Sequence, residues 1–157
     1  MAKAMVRQIF IASQNGAKPV ELREVEAVQF SGLLGDRYFK HCDTFPGNIN
    51  AITLQSIEQV EACNTALGTR FAPADFRRNI ITQGIDLNSL VGCEFSIGEV
   101  LLRGYELCQP CRYITELLNA DLLNGLADRG GLRAEILRGG LIKKKSEIHL
   151  CQTTESD

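Results

Sequence analysis

The stretch ELCQPCRYIT, residues 106–115, sets two thiols three positions apart, Cys108 and Cys111, with Pro110 directly before the second. The surrounding pattern predicts a strand ending near Leu107 and a helix starting near Arg112. Cys111 then sits at a helix N-terminus, where free N–H groups and the helix dipole favour thiolate over thiol. Arg112 adds positive charge, and Pro110 removes a backbone donor and stiffens the approach. Those features make Cys111 a candidate soft-metal ligand or nucleophile. The plainer reading is a buried cysteine packed as a small hydrophobe.

A CxxC pair has three other uses. Cys-x-Pro-Cys also occurs as the thioredoxin active-site motif, but there it comes early in the chain and a cis-proline loop follows. Here it falls two-thirds along, and no proline follows Pro110. A simple Cys108–Cys111 disulfide or thiol redox pair stays open. Structural zinc usually needs four Cys or His ligands. One CxxC pair plus the adjacent His41-Cys42 does not demand such a site.

Two loops carry arginines of interest: Gly35-Asp36-Arg37, and Phe76-Arg77-Arg78-Asn79 just before a predicted strand. Guanidinium groups hold phosphate or carboxylate through paired N–H donors that lysine cannot match. Asn79 and Thr82 can add uncharged hydrogen bonds. For GDR, an Asp36–Arg ion pair pinning the loop is the simpler alternative. His41 and His149 have no catalytic partner nearby in sequence.

These residues must be positioned by a fold that 157 residues can build as one domain, long enough to bury a core unaided. The chain is 45% hydrophobic and 23% charged with net charge −2, so no overall basic field recommends nucleic acid or an anionic membrane. The N-terminal apolar run, Ile9 to Ala12, is too short for a signal peptide or a membrane span. Six scattered cysteines without an export signal favour reduced thiols and a cytoplasmic location.

Strands are expected over Val6–Ala12 and Val20–Phe30, joined by the Asn15-Gly16 turn. A long Gly/Pro/Asp/Asn loop covers 31–50. A short strand at Ala51–Leu54 leads to a helix over Ile57–Leu67, capped by Ser56 and ended by Gly68. Pro73–Phe76 is a turn before a strand at Asn79–Thr82, and Gly84–Gly92 is loop with a short turn of helix. A hairpin about Gly98 joins Glu94–Ile97 to Glu99–Leu107. Arg112–Leu118 and Ala120–Ala127 read as helical, and Leu132–Leu137 and Glu147–Cys151 as strands. Two Arg-Gly-Gly-Leu copies, at 129–132 and 138–141, mark turns at both ends of one strand. The sum is a β-rich α+β domain with a curved or closed sheet over residues 1–151 and a polar tail, 152–157.

Taken together, GLLGDRY, FPGNINAITL, DFRRNIITQGIDLNSLVGCEFSIGEVLL, CQPCRYI and RGGLRAEILRGGLIKKKSEI resemble, in order, the motifs of the MOSC domain, the C-terminal domain of molybdenum cofactor sulfurases. The resemblance implies a barrel-like α+β fold that binds the molybdenum cofactor, a pterin dithiolene bearing a phosphate. Cys111 is then the thiolate ligand to molybdenum or the sulfur-carrying cysteine. Arg77 and Asn79 match cofactor-contacting residues; Arg37 and the variable Arg78 rank below them. Pyridoxal phosphate is not expected, because the fused cysteine desulfurase domain of the sulfurases is missing. No ferredoxin-like cysteine cluster or flavin motif is present, so electrons must come from a partner protein. Two functions follow. One is a small molybdoenzyme reducing N-hydroxylated compounds; the other is a sulfur carrier or cofactor-binding module served by a cysteine desulfurase.

Overall fold

The computed structural model describes residues 3–44, 47–108 and 130–151. Both predicted helices after the CQPC motif, and Cys111 itself, lie outside the described residues. The described chain forms eleven strands: β1 Met5–Ile11, β2 Val20–Leu22, β3 Glu24–Val28, β4 Gly32–Leu33, β5 Ile52–Ser56, β6 Ile80–Gln83, β7 Glu94–Ile97, β8 Val100–Leu107, β9 Leu132–Arg138, β10 Gly140–Lys143 and β11 Ile148–Leu150. One helix, α1 Ile57–Leu67, and two 3-10 turns, Pro73–Phe76 and Leu87–Leu90, complete it.

Eight strands make one sheet in the order β11-β7-β8-β9-β5-β6-β1-β2, and β10-β3-β4 make a second. The predicted strand Val20–Phe30 is thus two strands in different sheets. β2 pairs with β1, while β3 pairs with β10 and β4. The lapse in hydrophobic alternation within that stretch is the trace of the break. Likewise the second Arg-Gly-Gly-Leu copy is the point where the chain leaves one sheet for the other, since Gly140 opens β10 opposite Ala27. A Cβ at Gly139 would lie 2.6 Å from the Ala27 carbonyl oxygen, so only glycine permits that crossing.

The large sheet is open, yet its curl brings β1 to the segment before β11. Val6 N donates to Ser146 O at 2.9 Å, Lys145 N to Val6 O at 2.9 Å and Ile148 N to Ala4 O at 2.9 Å. The fold is therefore barrel-like in curvature without a continuous closing ladder. Alternating residues of both sheets fill the space between them: Val25, Ala27, Leu33 and Ile142 from the small sheet face Ile52, Leu54, Ile80, Phe95, Leu102 and Ile136 from the large one.

α1 links β5 to its parallel neighbour β6, as a parallel pair requires a crossover. Ser56 Oγ accepts from Gln59 N at 3.0 Å and Gly68 at φ +65° ends the helix, as the sequence predicts. Its Ile57, Val60 and Cys63 pack with Phe10, Phe76 and Ile81 in a smaller apolar cluster on the other face of the large sheet. Among the described residues, no helix is long and apolar enough to cross a membrane.

Candidate functional site

Strand alternation puts Leu132 and Ala134 of β9 and Ile52 and Leu54 of β5 into the main core, so Arg133 and Thr53 face the opposite way. These two stand opposite each other in register, and Arg133 is also paired with Glu106 of β8. Arg133 Nη1 reaches Glu106 Oε2 at 2.7 Å. On its other side Thr53 meets Asn79, just before β6. Asn79 Oδ1 accepts from Thr53 N at 3.0 Å and from Thr53 Oγ1 at 3.1 Å. Asn79 Nδ2 donates to Phe10 O at 3.1 Å and to Asp36 Oδ1 at 3.3 Å. A polar row therefore crosses the sheet: Glu106, Arg133, Thr53, Asn79, Asp36.

Asn79 is buried, and an Asn side chain has two acceptor positions and two donor hydrogens. All four are engaged within the protein. The amide orientation is forced, because Thr53 N can only donate and Phe10 O can only accept. Asn79 thus fixes the junction of β1, β5 and the GDR loop. Asp36 completes it: Oδ1 also accepts from Ala12 N at 3.1 Å and Oδ2 from Tyr38 N at 3.3 Å. The Asp36–Arg37 contact is long, 3.9 Å, so backbone N–H groups rather than this ion pair pin the loop.

The arginines ring this frame. Arg37, with 12% of its side chain exposed, lies 4.4 Å from the centre of the Tyr38 ring, a cation–π distance. Arg77 has φ +59° and ends the Pro73–Phe76 turn. A left-handed conformation in a non-glycine residue costs about 1–3 kcal/mol. It separates the two neighbours: Arg77 Nη2 donates to Ala17 O at 2.9 Å, whereas Arg78 Nε donates to Gly130 O at 2.8 Å. Arg77 thus holds the β1–β2 connection, and Arg78 reaches the start of β9.

At that place Cys108 N donates to Gly131 O at 2.7 Å, so the chain on either side of 109–129 is held together at a neck. Gly131, at φ +102°, has no room for a side chain: a Cβ would lie 2.3 Å from Leu54 O. Cys108 is a buried free thiol. Burial pushes its pKa up, against the pull of Arg78 and then Arg133, with Glu106 adding a small upward push. A buried, protonated thiol is a poor nucleophile, in keeping with Cys108 as the passive member of the CQPC pair.

Thr82 is fully buried in β6, opposite Val6 and Ser56, and its hydroxyl has no hydrogen-bond partner among the described residues. Of the six residues singled out in the sequence, Arg78 and Asn79 join the polar row and the neck. Arg37 and Arg77 both attach to residues 12–17, through Arg37 N to Ala12 O at 2.7 Å and the Arg77–Ala17 bond. Thr82 stands apart, and Cys111 lies outside the described residues. Sequence reasoning passed over Arg133 and Thr53. The alternation in LRAEI, with Arg133 and Glu135 on the polar phase, was the available signal for the first. Thr53 carried none.

The described residues form a curled-sheet domain with the guanidinium groups of Arg78 and Arg133 near the buried Cys108 thiol, a setting suited to an anionic ligand. Arg133 Nε, a buried donor without a partner among the described residues, and the bare backbone at Gly131 beside Arg78 both fit that chemistry. Among the described residues no group of three metal-ligating side chains occurs. The MOSC domain family model matches residues 44–149, and the chain belongs to that family. Solved structures share the fold. The YuaD protein from Bacillus subtilis superposes with a TM-score of 0.75 at 21% identity, covering 97% of this chain and 100% of that one. YiiM from Geobacillus stearothermophilus gives 0.73 at 15% identity, covering 98% and 77%. YiiM from Escherichia coli gives 0.67 at 18%, covering 95% and 70%. No curated protein is significantly similar in sequence.

Proposed function

We propose that this domain binds the molybdenum cofactor and acts as a small molybdoenzyme that reduces N-hydroxylated compounds with electrons from a partner protein. The observation that carries the reading is the Asn79–Asp36 frame with Arg77 and Arg37 attached beside it at residues 12–17, in a chain of a family associated with that cofactor. When bound, the cofactor supplies a metal centre that changes oxidation state and accepts an oxygen atom. Cys111 offers it a thiolate, a soft donor matched to a metal already held by dithiolene sulfurs. Arg77 and Arg37, both attached to residues 12–17, supply guanidinium donors for the cofactor's phosphate. Asn79 and Asp36 act behind them, holding the loops in place.

The test is expression in a host that makes the cofactor, followed by molybdenum and pterin analysis of the purified protein. Wild type is expected to retain both, Cys111→Ser to lose most of the molybdenum, and Cys108→Ser to lose little. Wild-type protein without cofactor overturns the proposal. Cofactor retained without turnover of an N-hydroxylated base and artificial reductant points instead to sulfur carriage on Cys111, with a cysteine desulfurase as partner.

A further inference from the structure

We infer that Arg78 and Arg133 together form an oxyanion-binding position at the neck of the β8–β9 connection, taking free phosphate or a phosphate monoester. It is separate from the assignment of Arg77 and Arg37 above and does not depend on the cofactor.

Four observations converge on it. Arg78 Nε donates to Gly130 O at 2.8 Å, Cys108 N donates to Gly131 O at 2.7 Å, and Arg133 pairs in register with Glu106 just before Cys108, so both arginines belong to one neighbourhood. Arg133 Nε is shielded from solvent and has no hydrogen-bond partner among the described residues. Stranding a buried charged donor is costly unless a ligand completes it. Glu106 holds Arg133 Nη1 at 2.7 Å, which fixes the plane of the guanidinium and the direction of the orphaned Nε. Finally, Gly131 keeps the backbone next to Arg78 free of side chains, since its Cβ would stand 3.6 Å from Arg78 Nε.

The charges decide the ligand class. Two guanidinium groups and one carboxylate leave a net single positive charge beside a thiol that burial keeps neutral. A phosphate oxyanion suits that positive position, and planar N–H pairs suit its oxygens. A cation or an apolar group would leave Arg133 Nε as stranded as before.

Binding of inorganic phosphate and of phenyl phosphate to the cofactor-free protein, followed by titration calorimetry, tests the inference. Arg78→Gln is expected to weaken binding at least tenfold. Arg133→Lys keeps the charge facing Glu106 but removes Nε, and the same loss is expected with folding retained. Arg70→Gln, an exposed change elsewhere, should leave affinity unchanged. Phosphate should also slow alkylation of Cys108, followed by mass spectrometry, because an added anion raises the thiol pKa further. Binding of the ester alone assigns the position to an organic phosphate; binding of both admits the free ion. No binding of either, or equal binding by the Arg133→Lys protein, refutes the position. Protein that binds phosphate but never carries molybdenum removes the cofactor reading and leaves this one standing.

Discussion

Replacing Asn79 tests whether the junction of β1, β5 and the GDR loop rests on one amide. Asn79→Ala strands Thr53 N, the Thr53 hydroxyl hydrogen, Phe10 O and one lone pair of Asp36, all in a buried setting, while the backbone N–H of residue 79 still reaches Thr53 Oγ1. Each stranded buried group costs about 1–3 kcal/mol, but water entering the space left by the side chain recovers part of the sum. A loss of about 3–5 kcal/mol follows, a large share of the roughly 5–15 kcal/mol that holds a domain folded. Asn79→Asp is the sharper probe because it preserves shape. It turns the Nδ2 donor into an acceptor facing Phe10 O and Asp36 Oδ1, and sets two carboxylates about as far apart as the present 3.3 Å bond. Two such groups cannot both ionise, so one pKa is raised in the folded state. Stability linked to a raised pKa is present at low pH and lost as pH climbs through it. The deficit relative to wild type should therefore be full near pH 8 and shrink toward pH 5. Urea unfolding at several pH values measures both effects. The exchanged pair Asp36→Asn with Asn79→Asp restores one donor facing one acceptor and should recover part of the loss. A cost under about 1 kcal/mol for Asn79→Ala, or an Asn79→Asp deficit that ignores pH, refutes the account.

Two further changes probe neighbouring positions. Thr82→Val removes a fully buried hydroxyl without a partner and keeps the branched shape, so thermal unfolding should show a gain of about 1 kcal/mol with cofactor content unaltered. Loss of cofactor in that variant would instead give the hydroxyl a ligand. The raised pKa of Cys108 means that its contribution is intact below the ordinary thiol value of 9.0 and is lost as pH rises above it. Wild-type stability, measured by urea unfolding between about pH 8 and 10.5, should fall more steeply than that of Cys108→Ala.

Helix α1 was legible to the residue, because Ser56 and Gly68 are strong local signals and the apolar spacing between them is helical. Strands with clean alternation, such as β7, were legible too. What the sequence hid was long-range. The lapse in alternation marks a break between Val20–Leu22 and Glu24–Val28, but it does not say that they join different sheets, since the partners that separate them, β1 and β10, lie far apart in the chain. The same holds for the site. FRRN read as a cluster of two arginines, yet the left-handed turn at Arg77 sends them to Ala17 and Gly130. Asn79 read as a ligand residue, but its hydrogen-bonding capacity is taken up by segments it meets only in the folded chain.

The seam between residues 4–6 and 145–148 has a consequence for how the chain comes to be folded. β1 and β3 are synthesised well before residues 145–148 and β10, which pair with them. Until those residues have emerged, both sheets have unpaired backbone beside an open core. Contacts so distant in sequence make folding slow, and a waiting strand edge is an invitation to neighbouring chains. A nascent chain arrested before residue 140 should therefore need chaperone protection that the finished chain does not.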